Sequence, residues 1–181
     1  MTLGSPTDPI HTLCAVMTVV TMLVPTEAAA QSTRAHSRVR SEDPLIAKLI
    51  ADAPALSATF RDLVTAIDTT NGIVYVESGR CGRGARACLV LSVDVAGPNR
   101  ILRVMVTTRR GREALIGSIG HELHHALEIL RDPAITTSAA MFFHFFGRSS
   151  FSPNRFETEG AIQAGHRIED EVRDRRRVLR E

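Results

Sequence analysis

Three residues in the middle of the chain have types and spacing that can hold a metal ion and use it. His121, Glu122 and His125 spell His-Glu-x-x-His within Gly120-His121-Glu122-Leu123-His124-His125-Ala126. On a helix, residues four apart share a face, so the two imidazoles can offer nitrogens to one ion. Glu122 is rotated by about 100° from His121. From there it cannot be a third ligand, but it can hold and deprotonate a water on the ion, as a zinc hydrolase does to make a nucleophile at neutral pH. One zinc ion suits two imidazoles and a carboxylate, and a third protein ligand is then required. The pattern does not extend to a further motif histidine, because positions 128 and 131 are Glu128 and Arg131. A final helix expected from Phe156 offers Glu157, Glu159 and His166 instead. In helical projection Gly160, Ala161, Ala164 and Ile168 fall within about 60° of Glu157. A carboxylate on such a small, apolar face is costly unless paired or metal-bound. Glu159 shares a face with Gln163, His166 and Asp170 that reads as solvated. The expectation is Glu157 as third ligand, with Glu159 the alternative.

The elements that must position these residues follow from periodicity. Structure is expected to begin near Pro44, with Leu45, Ile46, Leu49 and Ile50 at helical spacing. Ser57 can cap a second helix running to Asp68, with Phe60, Leu63, Val64 and Ile67 on its apolar side. Three β-branched runs follow, over 72–78, 87–95 and 100–108, separated by turn signals. Their short links predict an antiparallel β-meander, with the first or last run at its edge. A helix over 112–131 then carries the histidine pair. Its apolar stripe is Ile116, Ile119, Leu123, Ala126, Leu127 and Leu130. The histidines lie about 160° from Leu123, beside Gly117 and Ser118, a face suited to a second helix with an ion between. Asp132-Pro133 ends that helix. Residues 134–147 hold four of the seven phenylalanines and read as core filling or as a substrate wall. His144 within them is read as a satisfied core histidine ahead of a transition-state donor. The charged end of the last helix mixes signs and reads as solvated. The whole is expected to be α+β, one domain over 44–181.

Composition narrows the function classes. At 181 residues the chain suits one domain with a real core. Net charge is +2, and no concentrated basic face with interleaved aromatics is visible, which argues against nucleic acid as a partner. Of 22 basic residues only Lys48 is a lysine, a bias pointing to a GC-rich bacterial gene. No segment approaches the ~20 apolar residues of a membrane-spanning helix. Residues 1–30 read as an export signal: Leu13–Val24 is mostly apolar, Pro25 breaks it, and Ala28-Ala29-Ala30 fits a cleavage site, although residues 1–12 carry no Lys or Arg. An uncleaved anchor or a disordered tail is the alternative. Residues 31–43 are polar and read as a linker. With Cys14 in the signal, Cys81 and Cys88 remain, flanking a Gly/Arg loop between two strands. Their spacing is not that of a zinc site, and across a hairpin neck they can form a disulfide, in keeping with a periplasmic or secreted protein.

The motif followed by a downstream glutamate resembles the gluzincin metallopeptidases, the thermolysin-like group. The string Phe156-Glu157-Thr158-Glu159-Gly160-Ala161 is similar to the Phe-Glu-x-x-Ala-Asp stretch of that group's integral-membrane prenyl-protein endopeptidases, whose first Glu binds zinc. The resemblance therefore also selects Glu157. Small soluble minigluzincins share a helix, a short meander, the motif helix and the ligand helix, so the resemblance covers roughly residues 57–168. It implies a zincin-like fold and hydrolysis of peptide or protein substrates. The chain departs from the pattern in two places. Ala161 stands where gluzincins often place an Asp that orients a motif histidine. No evident Tyr or His serves as oxyanion donor; Tyr75, the single tyrosine, is on a strand, and His144 and Arg155 are the remaining choices. Three readings result: an exported zinc peptidase with Glu122 as general base, a zinc-binding module of the same fold without hydrolysis, and a metal-free helical protein whose histidines are structural.

Overall fold

The computed structural model describes Met1, 37–109, 111–148, 150–152, 155–179 and 181. Apart from Met1, the expected export signal lies outside these residues, as do residues 31–36 of the expected linker. No helix among the described residues is long and apolar enough to cross a membrane.

The fold is α+β: five helices and a small mixed sheet among the described residues. It begins earlier than the polar composition of 31–43 implied. Val39–Arg40 forms strand β1, and Val39 is buried. Arg38 anchors it, its N–H donating to Asp68 and its guanidinium to the Gly72 carbonyl and Asn99. A single apolar residue in a polar run gave no periodicity to read. Helix α1 (Pro44–Leu56) starts on Asp43, whose carboxylate accepts from the Leu45 and Ile46 amides. Helix α2 (Ala58–Asp68) starts on Ser57, whose hydroxyl accepts from Phe60 at 3.0 Å.

The expected antiparallel meander is not what forms. Strand β2 (Gly72–Ser78) lies parallel to β5 (Asn99–Val106), with Gly72 opposite Arg100 and Ser78 opposite Val106. The middle run divides into β3 (Ala87–Leu89) and β4 (Asp94–Ala96), both antiparallel to β5 on its other side. The strand order is β1-β2-β5-β3. The physical reason is the length of the Gly/Arg loop after β2: it carries the chain across the end of β5, where Gly79 donates to the Val106 carbonyl. That leaves one strand position open between β2 and β3, and β5 fills it. An edge of the sheet is thus β3, in the middle run, and not the first or last run as anticipated.

Helix α3 (Arg112–Leu130) packs its stripe against the sheet: Ile116, Ile119, Leu123 and Ala126 are fully buried, with Val74, Val76, Leu102 and Val104 among the same core. Its C-terminus is fixed from inside. The buried Arg100 of β5 donates to the carbonyls of Ile129, Leu130, Asp132 and Ile135, so one guanidinium ties together the end of the helix and the turn after it. Helix α4 (Ser138–Phe146) follows, then a hairpin of β6 (Ser150–Ser152) and β7 (Arg155–Glu157), and finally helix α5 (Glu159–Val178). The last helix therefore begins three residues later than expected. Thr158 is its cap, accepting from Ala161 at 3.3 Å.

Candidate metal centre

Helix α3 presents its histidines to α5, as the small residues beside them implied. The two helices approach closely where Gly117 meets Gly165. A Cβ built on Gly165 would stand 3.0 Å from the His121 Cβ and 3.3 Å from the Gly117 carbonyl oxygen. The third residue reaches the same place from β7. His121, His125 and Glu157 bring their ligand atoms within 4.8 Å of one another, and this cluster can hold a metal ion. His121 Nε2 is 3.1 Å from Glu157 Oε2. Glu157 was the expected ligand, but on the wrong element: it sits on a strand, so the helical-face comparison with Gly160 and Ala164 does not describe its surroundings. Glu159, on the first turn of α5, is exposed and bonded to Gln163 at 2.7 Å.

The donor set fits a divalent ion. A carboxylate can only accept, so the 3.0 Å contact between His125 Nδ1 and Glu128 Oε2 puts the ring proton on Nδ1 and leaves Nε2 as the open nitrogen. Glu128 is the residue that sequence reading missed. It compensates for Ala161, supplying from α3 itself the carboxylate that orients a histidine. Its position three residues after His125 and four after His124 was the available signal. Its other oxygen accepts from Thr158 Oγ1 at 2.7 Å and lies 3.4 Å from His124 Nδ1. Burial opposes ionisation of Glu128, but the close His124 ring and the hydrogen bonds from His125 and Thr158 outweigh it and hold the carboxyl well below its usual range.

Glu122 stands beside the cluster, 7% exposed. Its Oε2 accepts the Leu89 N–H of β3 at 2.7 Å, and its Oε1 is 4.0 Å from His121 Nε2. Burial pushes its pKa up, against the pull of the two histidines and the Leu89 bond. For His121, burial disfavours the imidazolium, but the bond to Glu157 and the Glu122 and Glu157 charges prevail and raise its pKa.

A cleft of about 780 Å³ runs over the cluster, walled by the Cys81–Cys88 loop, β3, α3 and α5. Cys81 and Cys88 are joined as a disulfide, with Cα atoms 5.9 Å apart. The phenylalanine segment divides between core and surface. Phe145 is buried, lines the cleft and meets the His125 ring edge-on at 5.3 Å, while Phe142, Phe143 and Phe146 are exposed. His144 is neither in the core nor in the cleft. It is half-buried at a second, smaller cavity, where Arg148 donates to its Nδ1 at 2.6 Å, and burial and Arg148 lower its pKa. His166, first considered as a ligand, lines the cleft from α5 outside the cluster. Tyr75 is on β2, and the side chain of Arg155 lies outside what the structure describes.

No protein-family model, curated protein or solved structure matches the chain.

Proposed function

We propose that this chain is an exported, zinc-dependent peptidase of gluzincin type. The observation that carries the reading is the convergence of His121, His125 and Glu157 with a buried, aimed Glu122 at the floor of an open cleft. Zinc, when bound by those three residues, supplies a Lewis acid that activates water and polarises a carbonyl. The rest is the work of the chain. Glu122 uses Oε1 to take a proton from water in the cleft and passes it to the departing amine nitrogen. Phe145 covers His125 and excludes solvent behind it. His166 is the cleft imidazole that can donate to a developing oxyanion. The main-chain groups of Ala87 point away from β5, because Arg86 and Val90 make the neighbouring ladder bonds, and they can pair with an extended peptide. The disulfide accords with an oxidising compartment.

Metal analysis and hydrolysis of an unfolded protein test the reading together. The zinc-loaded chain should cleave, and Glu122→Gln should retain the metal and lose about 10²–10⁴-fold in rate; equal activity in that variant ends the assignment. The second reading, a zinc-binding module without hydrolysis, is favoured by one observation: no tyrosine lines the cleft as a donor. Stoichiometric metal with no turnover across a broad peptide library would decide for it.

A further inference from the structure

The loop between β2 and β3 reads Gly79-Arg80-Cys81-Gly82-Arg83-Gly84-Ala85-Arg86. Three glycines and no large apolar side chain give it little of its own to hold a shape. The strand it leads into, β3, is only three residues long and lies at the sheet edge. Yet that strand carries the one described hydrogen bond that fixes the catalytic carboxylate, from the Leu89 N–H to Glu122 Oε2 at 2.7 Å. The strand alternation explains why the amide is free to do this. Thr107 donates to the Arg86 carbonyl and Val90 to the Arg103 carbonyl, so the Ala87 and Leu89 amides face away from β5. The residue before Leu89 is Cys88, tied back to Cys81 across the neck of the loop.

We infer that the Cys81–Cys88 bridge is a positioning element for catalysis: it holds β3 so that Leu89 fixes Glu122 Oε2 and leaves Oε1 turned to the metal cluster. The inference rests on the peptidase reading for its catalytic part. The ligands themselves stand elsewhere, on α3 and β7, so breaking the bridge loosens the base and not the ion. A dithiol reductant supplies two electrons and two protons, converting the bridge into the Cys81 and Cys88 thiols and leaving as its own cyclic disulfide. Activity therefore follows the redox state of the compartment and is low until the chain has been oxidised.

The test uses the full chain, zinc-loaded, before and after complete reduction confirmed by thiol titration. Amide hydrogen exchange is the readout that does not need activity. The Leu89 amide should exchange slowly in the oxidised protein and at least roughly tenfold faster after reduction and in Glu122→Ala, while α3 amides stay protected. On a peptide substrate kcat should fall about 10–100-fold with KM within about threefold, zinc content unchanged, and reoxidation should restore it. The Cys81→Ser/Cys88→Ser double variant should show the low kcat with or without reductant. Unchanged Leu89 exchange after reduction overturns the inference, as does loss of zinc along with activity, which would make the bridge merely structural. If the oxidised protein hydrolyses nothing while Leu89 exchange responds as described, the peptidase reading fails and the link between bridge and Glu122 stands.

Discussion

The histidines and the glutamate of the metal cluster stand on supports of opposite kind. His121 and His125 lie in the middle of a 19-residue helix that is buried against the sheet on one side, pressed to α5 at Gly165 on the other, and held at its end by Arg100. Glu157 ends a three-residue strand in a two-stranded hairpin. That strand is held by Phe156, packed on Phe142 and Phe145 of α4, and by Thr158, bonded to Glu128. The rigid support fixes two donors and the softer one brings the third to meet them, with Glu128 as the joint between the two.

Perturbing the rigid side should cost stability, and perturbing the soft side should cost only metal. Arg100→Met should have the largest effect, because it removes a buried guanidinium from four main-chain carbonyls at and just beyond the end of α3. We expect a loss of roughly 3–4 kcal/mol and a fall in Tm of about 10 °C, read by thermal denaturation. Gly165→Ala should cost about 2 kcal/mol and weaken zinc binding too, because the new methyl meets the His121 Cβ and the Gly117 carbonyl together. Glu157→Ala should release zinc with Tm of the metal-free protein nearly unchanged. An equal loss of stability in Glu157→Ala would erase the distinction between the two supports.

Glu128→Gln probes the joint. It keeps the shape but turns one of the two acceptor oxygens into an amide NH2 donor, so His125 and Thr158 cannot both be accepted and zinc affinity should fall about 10–100-fold by competition titration. The smallest effect lies away from the site. Glu171 of α5 accepts from the hydroxyls of Ser57 and Thr59 and the Thr59 amide, tying α5 to the start of α2. Burial raises its pKa, but these bonds outweigh that and depress it below the ordinary 4.5. A depressed carboxyl contributes stability above its unfolded pKa and loses it as pH falls through the folded value. Unfolding of the wild type should therefore show extra acid sensitivity below about pH 4.5, and Glu171→Gln should flatten that limb by under about 1 kcal/mol.

The sequence disclosed the rigid support more fully than the soft one, for a physical reason. Helix α3 repeats its apolar residues at one period over five turns, and Ser57 announces α2 by its chemistry, so both were readable within a residue or two. Strand β7 has three residues and no period. Its ligand was found by asking which carboxylate would be costly to bury, although the helix assumed for that comparison starts two residues after it. The parallel pairing of β2 with β5 was not legible, because it depends on where the Cys loop crosses, not on either strand's own residues. Val39 failed for the same reason: its burial is decided by Val74 across the sheet.

Arg100 also bears on the order in which the site is made. Its guanidinium locks the axial position of α3 from within the hydrophobic core, through contacts that exist only once β5 and the helix have docked. The spacing and facing of the two imidazoles are therefore set by the packing of the chain itself. On the proposed zinc-peptidase reading, metal loading is then separable from folding, and an exported chain could fold first and take up its ion where it acts.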